Sequence, residues 1–343
     1  MSSYTSTSNH PKLLISLFMI AFIMSIVCVD LFLEYYASSK TTANSYITEK
    51  DSKLKHAQLL NPINKQAIFI GSSRTYYHVS TNELNSNSLD IYNMGVSNSS
   101  LQGFPSFVRE ALKYKPQSIV LSIEVNELFR QLPISDYPKF IDLSSYYHSL
   151  NSTYLANSTV SWIQNFHSLL RYSESIYLKI ISFYNKFNPP NTEPDVIKTA
   201  LINLDQISDC SIFSKKQTEN FITSKCKNGD GILFGHYKKE SQTKKIKLQN
   251  INLETVAFIN HLINTINSEN IIPIVILEPV NQFDTEYQYD IKQIKKKIDT
   301  VLIDLTQLQT QLDFWVDSRH FNNQGRLFYS NKIITLLKKI INE

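Results

Sequence analysis

The sequence predicts a three-layer α/β protein: a parallel sheet of about five strands with helices on both faces, a large insertion after the third strand, and an N-terminal transmembrane helix. Three observations carry this. Short, branched apolar runs alternate with longer helical patterns, which implies a parallel sheet covered on both sides. Between 131 and 247 that alternation stops, and the chain becomes rich in Tyr, Ser, Asn and Phe. Near the start, Leu13 to Val29 is unbroken and uncharged. At 343 residues the chain can bury a substantial core, as one large domain or two small ones.

Spanning a bilayer takes about 20 apolar residues. Leu13–Val29 is followed by Asp30 and then by Leu31-Phe32-Leu33, and Lys12 can snorkel, so a tilted span fits. A cleaved signal peptide is the competing reading, because Ala37-Ser38-Ser39 resembles a small-residue cleavage site, but the apolar region is longer than such peptides favour. Lys12 precedes the span and Lys40 and Lys50 follow it, so the positive-inside bias is slight. A short cytoplasmic tip with an exported domain is the simpler topology. The expected organisation is a tip and anchor over 1–36, a stalk over 37–60, a core domain from 61–130 and 248–343, and an insertion over 131–247 that covers the site or contacts a partner.

The first strand is Ala67-Ile68-Phe69-Ile70, the second Asp90-Ile91-Tyr92-Asn93 and the third Ser118 to Ile123, each apolar and short. Pro116 ends the helix expected over Phe104 to Tyr114. Ile271 to Leu277 is the fourth strand, with Pro273 early, where an edge or a strand start tolerates it. Val301 to Leu305 is the fifth. Asp290 to Ile298 reads as a charged helix, Leu327 to Ile341 as an amphipathic one, and Trp162 to Phe187 as a helix inside the insertion.

A net charge of +4 with scattered lysines gives no footing for nucleic acid, and Lys295-Lys296-Lys297 reads as a solvated face. Cys210 and Cys226 are the cysteines outside the apolar segment, 16 residues apart. On an exported domain they are candidates for a disulfide; in the cytosol they would be two free thiols. No CxxC, HxxxH or HExxH pattern occurs, so no metal and no cofactor is expected.

The chemistry lies in sequence-distant polar groups that follow the strands, because a parallel sheet gathers its functional groups at the carboxyl ends. Ser73, in Gly71-Ser72-Ser73-Arg74-Thr75, follows the first strand on a tight turn and is the expected nucleophile, with Ser72 as the neighbouring alternative. Helix capping is the bland use of both serines. His320, in Asp317-Ser318-Arg319-His320-Phe321-Asn322, is the expected general base, and Asp317, three residues earlier, the acid that holds its tautomer. A helix cap at Asp317 and a surface histidine are the alternative. Gly95 through its N–H and Asn126 through its amide are the expected oxyanion donors, groups worth about 2.7–4 kcal/mol each where measured.

These blocks resemble the SGNH/GDSL hydrolase superfamily. Gly71-Ser72-Ser73 is similar to its first block, Asn93 to Asn98 to its second, Glu124-Val125-Asn126-Glu127 to its third and Asp317 to His320 to its last. Ser72 stands where that family usually has Asp, Glu124 and Glu127 where Gly and Asp are usual, and Asn98 where a glycine often sits. The resemblance covers about 66–130 and 268–343 and implies a flavodoxin-like sheet. Together with the anchor, it points to the bacterial cell-envelope branch, which includes proteins of polysaccharide O-acetylation and of D-alanine transfer to teichoic acids. It implies a serine O-acyltransferase on the periplasmic or extracellular side, with an envelope glycan as acceptor and a polytopic membrane acyltransferase as donor partner. An esterase of the same fold is the first alternative, and a non-catalytic glycan-binding or scaffold protein the second.

Overall fold

Alternation along the strands sets the layering. A computed structural model describes residues 10–39, 53–54, 56–97, 99–131, 209–217, 221–239 and 242–341. Five strands form one sheet: β1 (Ala67–Ile70), β2 (Ile91–Asn93), β3 (Ser118–Ile123), β8 (Ile272–Leu277) and β10 (Val301–Asp304). Their order is β2-β1-β3-β8-β10, and every neighbouring pair is parallel. This is the flavodoxin-like order, in which the connections leave β1 and β3 toward opposite sides.

Side chains two apart share a sheet face. Ile68, Ile70, Ile119, Leu121, Val275 and Leu277 enter one core, against helices α4 (Phe104–Leu112) and α5 (Leu253–Asn267). Their neighbours Ala67, Phe69, Val120, Ile274 and Ile276 enter the other, against helix α7 (Asn323–Ile341). All five expected strands form. Pro273 sits inside β8 opposite Ile119, one residue before the pairing with β10 begins at Ile274, so its missing N–H breaks no ladder bond to that neighbour. Helix α6 (Ile291–Lys295) is shorter than the expected charged helix, and α7 starts earlier than expected. The short helices α2 (Ser73–His78) and α3 (Thr81–Ser86) follow β1.

The N-terminal segment is a helix, α1 (His10–Ser39). Among the described residues no helix is long and apolar enough to cross a membrane, so the expected span is not shown.

Two other expectations change. The stalk does not extend to 60 as a free spacer. Ala57 is fully buried, Lys53 donates to the Gly229 carbonyl, and His56 bridges Tyr92 Oη (2.8 Å) and the Lys227 carbonyl (2.9 Å), so this stretch is packed on the domain. The described end of the insertion is regular: β4 (Ile212–Gln217), β5 (Ile222–Cys226) and β6 (Gly231–Phe234) form an antiparallel sheet in that order. Strand β7 (Lys244–Lys247) pairs in parallel with β9 (Thr285–Gln288). Trp162–Phe187 lies outside the described residues. Cys210 and Cys226 are disulfide-bonded, fastening the start of this small sheet to the end of β5.

Arg326, in the first turns of α7 and fully buried, binds the small sheet to the core. Its guanidinium meets Asp209 and Asp230, the latter at 2.6 Å. Asp230 also accepts from the N–H and hydroxyl of Thr81 (2.9 and 2.6 Å), and Asp209 accepts from Ser80. One cation thus joins α7, α3 and the disulfide-linked strands.

Candidate active site

Ser73, His320 and Asp317 come together beyond the carboxyl ends of β1 and β3. Ser72 is the N-cap of α2, its hydroxyl accepting from Arg74 N–H at 3.2 Å, and this leaves Ser73 as the first helical residue. Of the two serines, Ser73 faces the histidine: its Oγ lies 2.8 Å from His320 Nε2. His320 Nδ1 lies 2.9 and 3.1 Å from the two oxygens of Asp317. An ionised carboxylate only accepts, so Nδ1 carries the proton and Nε2 is left to accept from Ser73.

The turn that presents this pair is built locally. Asp317 Oδ1 accepts from the N–H groups of Arg319 and His320, both at 2.7 Å, closing the loop on itself. Asp317 is therefore no helix cap; that place is taken by Asn322, which accepts from Gly325 N–H at 3.0 Å. Trp315 and Phe321 bridge across the loop, with rings 4.1 Å apart and both fully buried. Asn281, also fully buried, donates to the Asp317 carbonyl at 3.1 Å. Burial alone would raise the Asp317 pKa, but the hydrogen bond and charge of His320 and the two N–H donors hold it below its ordinary value.

The expected oxyanion donors are placed otherwise. Gly95 N–H donates to Asn93 Oδ1 at 2.9 Å, so that donor is already engaged. Glycine is needed there for packing: a Cβ would strike the backbone of Thr75 and Tyr76 in α2. Asn126 lies in a 3₁₀ turn, Val125–Phe129, and its amide nitrogen is 3.4 Å from Tyr287 Oη, a ring packed against the α4–α5 core. Among the described residues neither is hydrogen-bonded to Ser73 or His320.

Around the three residues stands a set of charged groups to which the motifs assign no role. Glu124, directly after β3, faces Arg74 Nε at 3.3 Å and Arg319 Nη2 at 3.1 Å. Arg74 also donates to the Pro279 carbonyl at 2.8 Å. Glu278, directly after β8, accepts from Thr75 at 2.8 Å. Burial works to raise the Glu124 pKa, yet Arg74 and Arg319 hold it below its ordinary value. Burial pushes Glu278 up to about 7, with Glu124 adding and Arg74 opposing. Glu127 is pushed up to about 8 by burial and then by Glu124 and Glu278. The signal for Glu124 and Glu278 in the sequence is position: a charged residue immediately after a buried strand.

His78 lies behind the site, fully buried, its ring 6.2 Å from that of His320. Its Nε2 accepts from Phe321 N–H at 3.0 Å, which ties α2 to the residue after His320. Burial, and then the charges of His320 and Arg74, lower its pKa well below the ordinary value, so it stays neutral. Among the described residues no group of three or more His, Cys, Asp and Glu is arranged to hold a metal ion.

Fold and geometry together define an α/β protein whose sheet carries a hydrogen-bonded serine, histidine and aspartate at its carboxyl edge. Compared with known proteins, the chain matches no family model and no curated protein.

Proposed function

We propose that the protein is a membrane-anchored serine O-acyltransferase, most simply of acetyl groups, acting on a cell-envelope polysaccharide. One observation carries the chemistry: Ser73 Oγ stands 2.8 Å from His320 Nε2 while Asp317 holds the other ring nitrogen. Ser73 attacks the donor carbonyl and its proton passes to Nε2. His320 returns that proton to the leaving group, and an acyl-Ser73 ester remains. A sugar hydroxyl then gives its proton to His320, attacks the ester and releases Ser73, which takes the proton back.

The acceptor class and a polytopic membrane acyltransferase as donor partner rest on the resemblance of the sequence blocks to SGNH enzymes of the envelope. The anchor is supported by α1, where Phe18, Ile20, Phe22, Ile23, Leu31 and Phe32 are each more than half exposed. Export is supported by the Cys210–Cys226 disulfide, since such bonds persist in oxidising compartments.

An esterase is the second reading. His320 and Asp317 keep 18% and 33% of their side-chain surface exposed, so water reaches the base. One assay separates the two. The full chain in detergent receives a small acetyl ester with and without an envelope polysaccharide. The transferase acetylates the glycan at the expense of free acetate, and Ser73→Ala abolishes both products with its thermal midpoint unchanged. Acetate release indifferent to glycan supports the esterase, and turnover by Ser73→Ala overturns both.

A further inference from the structure

Ser73 and His320 are 247 residues apart in sequence and reach the site on different elements. The Asp317 turn fixes His320 relative to its acid, and behind the ring His78 ties that turn to α2 from one side through Phe321 N–H. Glu124 sits between them at the end of β3. Its Oε1 is 3.3 Å from Arg74 Nε, and Arg319 Nη2 is 3.3 and 3.1 Å from its two oxygens. Arg74 directly follows Ser73, and Arg319 directly precedes His320.

The two arginines are held differently. Arg74 is buried and further fixed by the Pro279 carbonyl, whereas the Arg319 side chain is 58% exposed. An exposed arginine ordinarily gains little from one ion pair. Here its partner is a carboxylate with only 15% of its side chain exposed, already paired by charge with a buried cation 3.3 Å away. The pair therefore has a rigid anchor on one side.

We infer that Glu124 is a positioning residue for the chemistry at Ser73, its carboxylate clamping the arginine beside the nucleophile to the arginine beside the base. This rests on the acyl-transfer reading for its purpose, but not for its geometry. The same carboxylate has an electrostatic duty. The groups that face the His320 ring are Ser73, Asp317, His78 and Tyr77, and Glu124 acts by charge on the same imidazole as well as on Arg74 and Arg319. With the Glu124 charge gone, two guanidinium groups stand against the imidazolium that forms when Ser73 loses its proton, and Asp317 opposes them alone.

The test uses two readouts on the full chain in detergent: the rate of Ser73 modification by a fluorophosphonate, and the His320 pKa. The pKa comes from hydrogen–deuterium exchange at the imidazole Cε1 carbon, followed by peptide mass mapping across pH. Glu124→Gln is expected to slow modification by about 10–100-fold, the scale of a misplaced reacting group. It should also make the imidazolium harder to form, because a nearby negative charge is lost. Glu124→Asp, which keeps the charge, should restore the pKa and part of the rate. Arg319→Gln removes a cation instead, so it should slow modification while moving the His320 pKa upward. A structural role alone would change the thermal midpoint but leave rate and pKa per folded molecule as they were.

Wild-type rate and pKa in folded Glu124→Gln overturn the inference. If that variant does not fold, Arg319→Gln, at an exposed position, decides: an upward pKa shift supports the clamp and an unmoved pKa overturns it. A wild-type chain that never reacts at Ser73 defeats the acyl-transfer reading, and the two opposite pKa shifts still decide the role of Glu124.

Discussion

Two ionic clusters in this protein are mirror images in charge. In one, a fully buried arginine, Arg326, is held by two aspartates, Asp209 and Asp230. In the other, the carboxylate of Glu124 is held by two arginines, Arg74 and Arg319. The first is closed: Arg326 and Asp230 have no exposed side-chain surface, and Thr81 and Asn228 also bond Asp230. The second opens to solvent through Arg319 and lies beside Ser73 and His320. The closed cluster joins elements within the fold, while the open one faces solvent through Arg319 and, on the proposed reading, holds Ser73 and His320 in register.

The largest effect is expected from breaking the closed cluster. Arg326→Leu leaves Asp209 and Asp230 without their cation, and losing one partner of a buried pair costs about 3–5 kcal/mol. Chemical denaturation should show that loss, and a change below about 1 kcal/mol would mean the cluster is not an anchor. Next comes the disulfide, which closes a 16-residue interval and is worth about 3 kcal/mol by chain entropy. Cys210→Ser should lower stability by about 2–3 kcal/mol in urea. Because Asp209 adjoins Cys210, the double variant with Arg326→Leu should lose less than the sum. Simple additivity would separate the disulfide from the cluster.

The open side yields a smaller, pH-dependent effect. Glu278 has an ordinary pKa of 4.5 and is pushed up to about 7 in the folded chain. Between those values the folded state holds a proton that the unfolded state has lost. Its contribution is thus fully present below about pH 4.5 and is lost as pH rises through about 7. Glu278→Gln imitates the protonated form and can keep accepting from Thr75. Its thermal midpoint should stay flatter than the wild type between about pH 5 and pH 8, a difference on the order of 1–3 kcal/mol. Parallel curves would show that Glu278 does not ionise in that range.

The sheet was legible because each strand is a short apolar run followed by polar turn residues, and a strand buried on both faces needs nothing else. Ser73, His320 and Asp317 were legible because hydroxyl, imidazole and carboxylate sat at the carboxyl ends with fitting local spacing. Leu253–Asn267 goes unassigned in the sequence reading, although Val256, Ile259, Ile263 and Ile266 follow the helical period and Asn252 caps it. That signal was present in a stretch already given to the core domain, 248–343, where the strands alone were assigned up to Leu277. Strands β4 and β5 were hidden by composition, since they carry Lys, Ser and Thr with little apolar alternation and their partners are set by the disulfide and Asp230, while β6 is a plain apolar run, Gly231–Phe234, left unassigned inside the insertion. For Gly95 and Asn126 the sequence shows less. A residue type after a strand fixes where a donor starts, but its direction depends on Asn93 and Tyr287, which sequence order does not reveal.

The most direct test of the account is the covalent one. The full chain is treated with a fluorophosphonate, and the adduct is located by intact mass and peptide mapping. One adduct on Ser73, absent in His320→Ala although that variant stays folded, is the result the geometry requires. A folded wild-type chain that takes no adduct, or takes it elsewhere, would contradict the assignment of Ser73 as nucleophile.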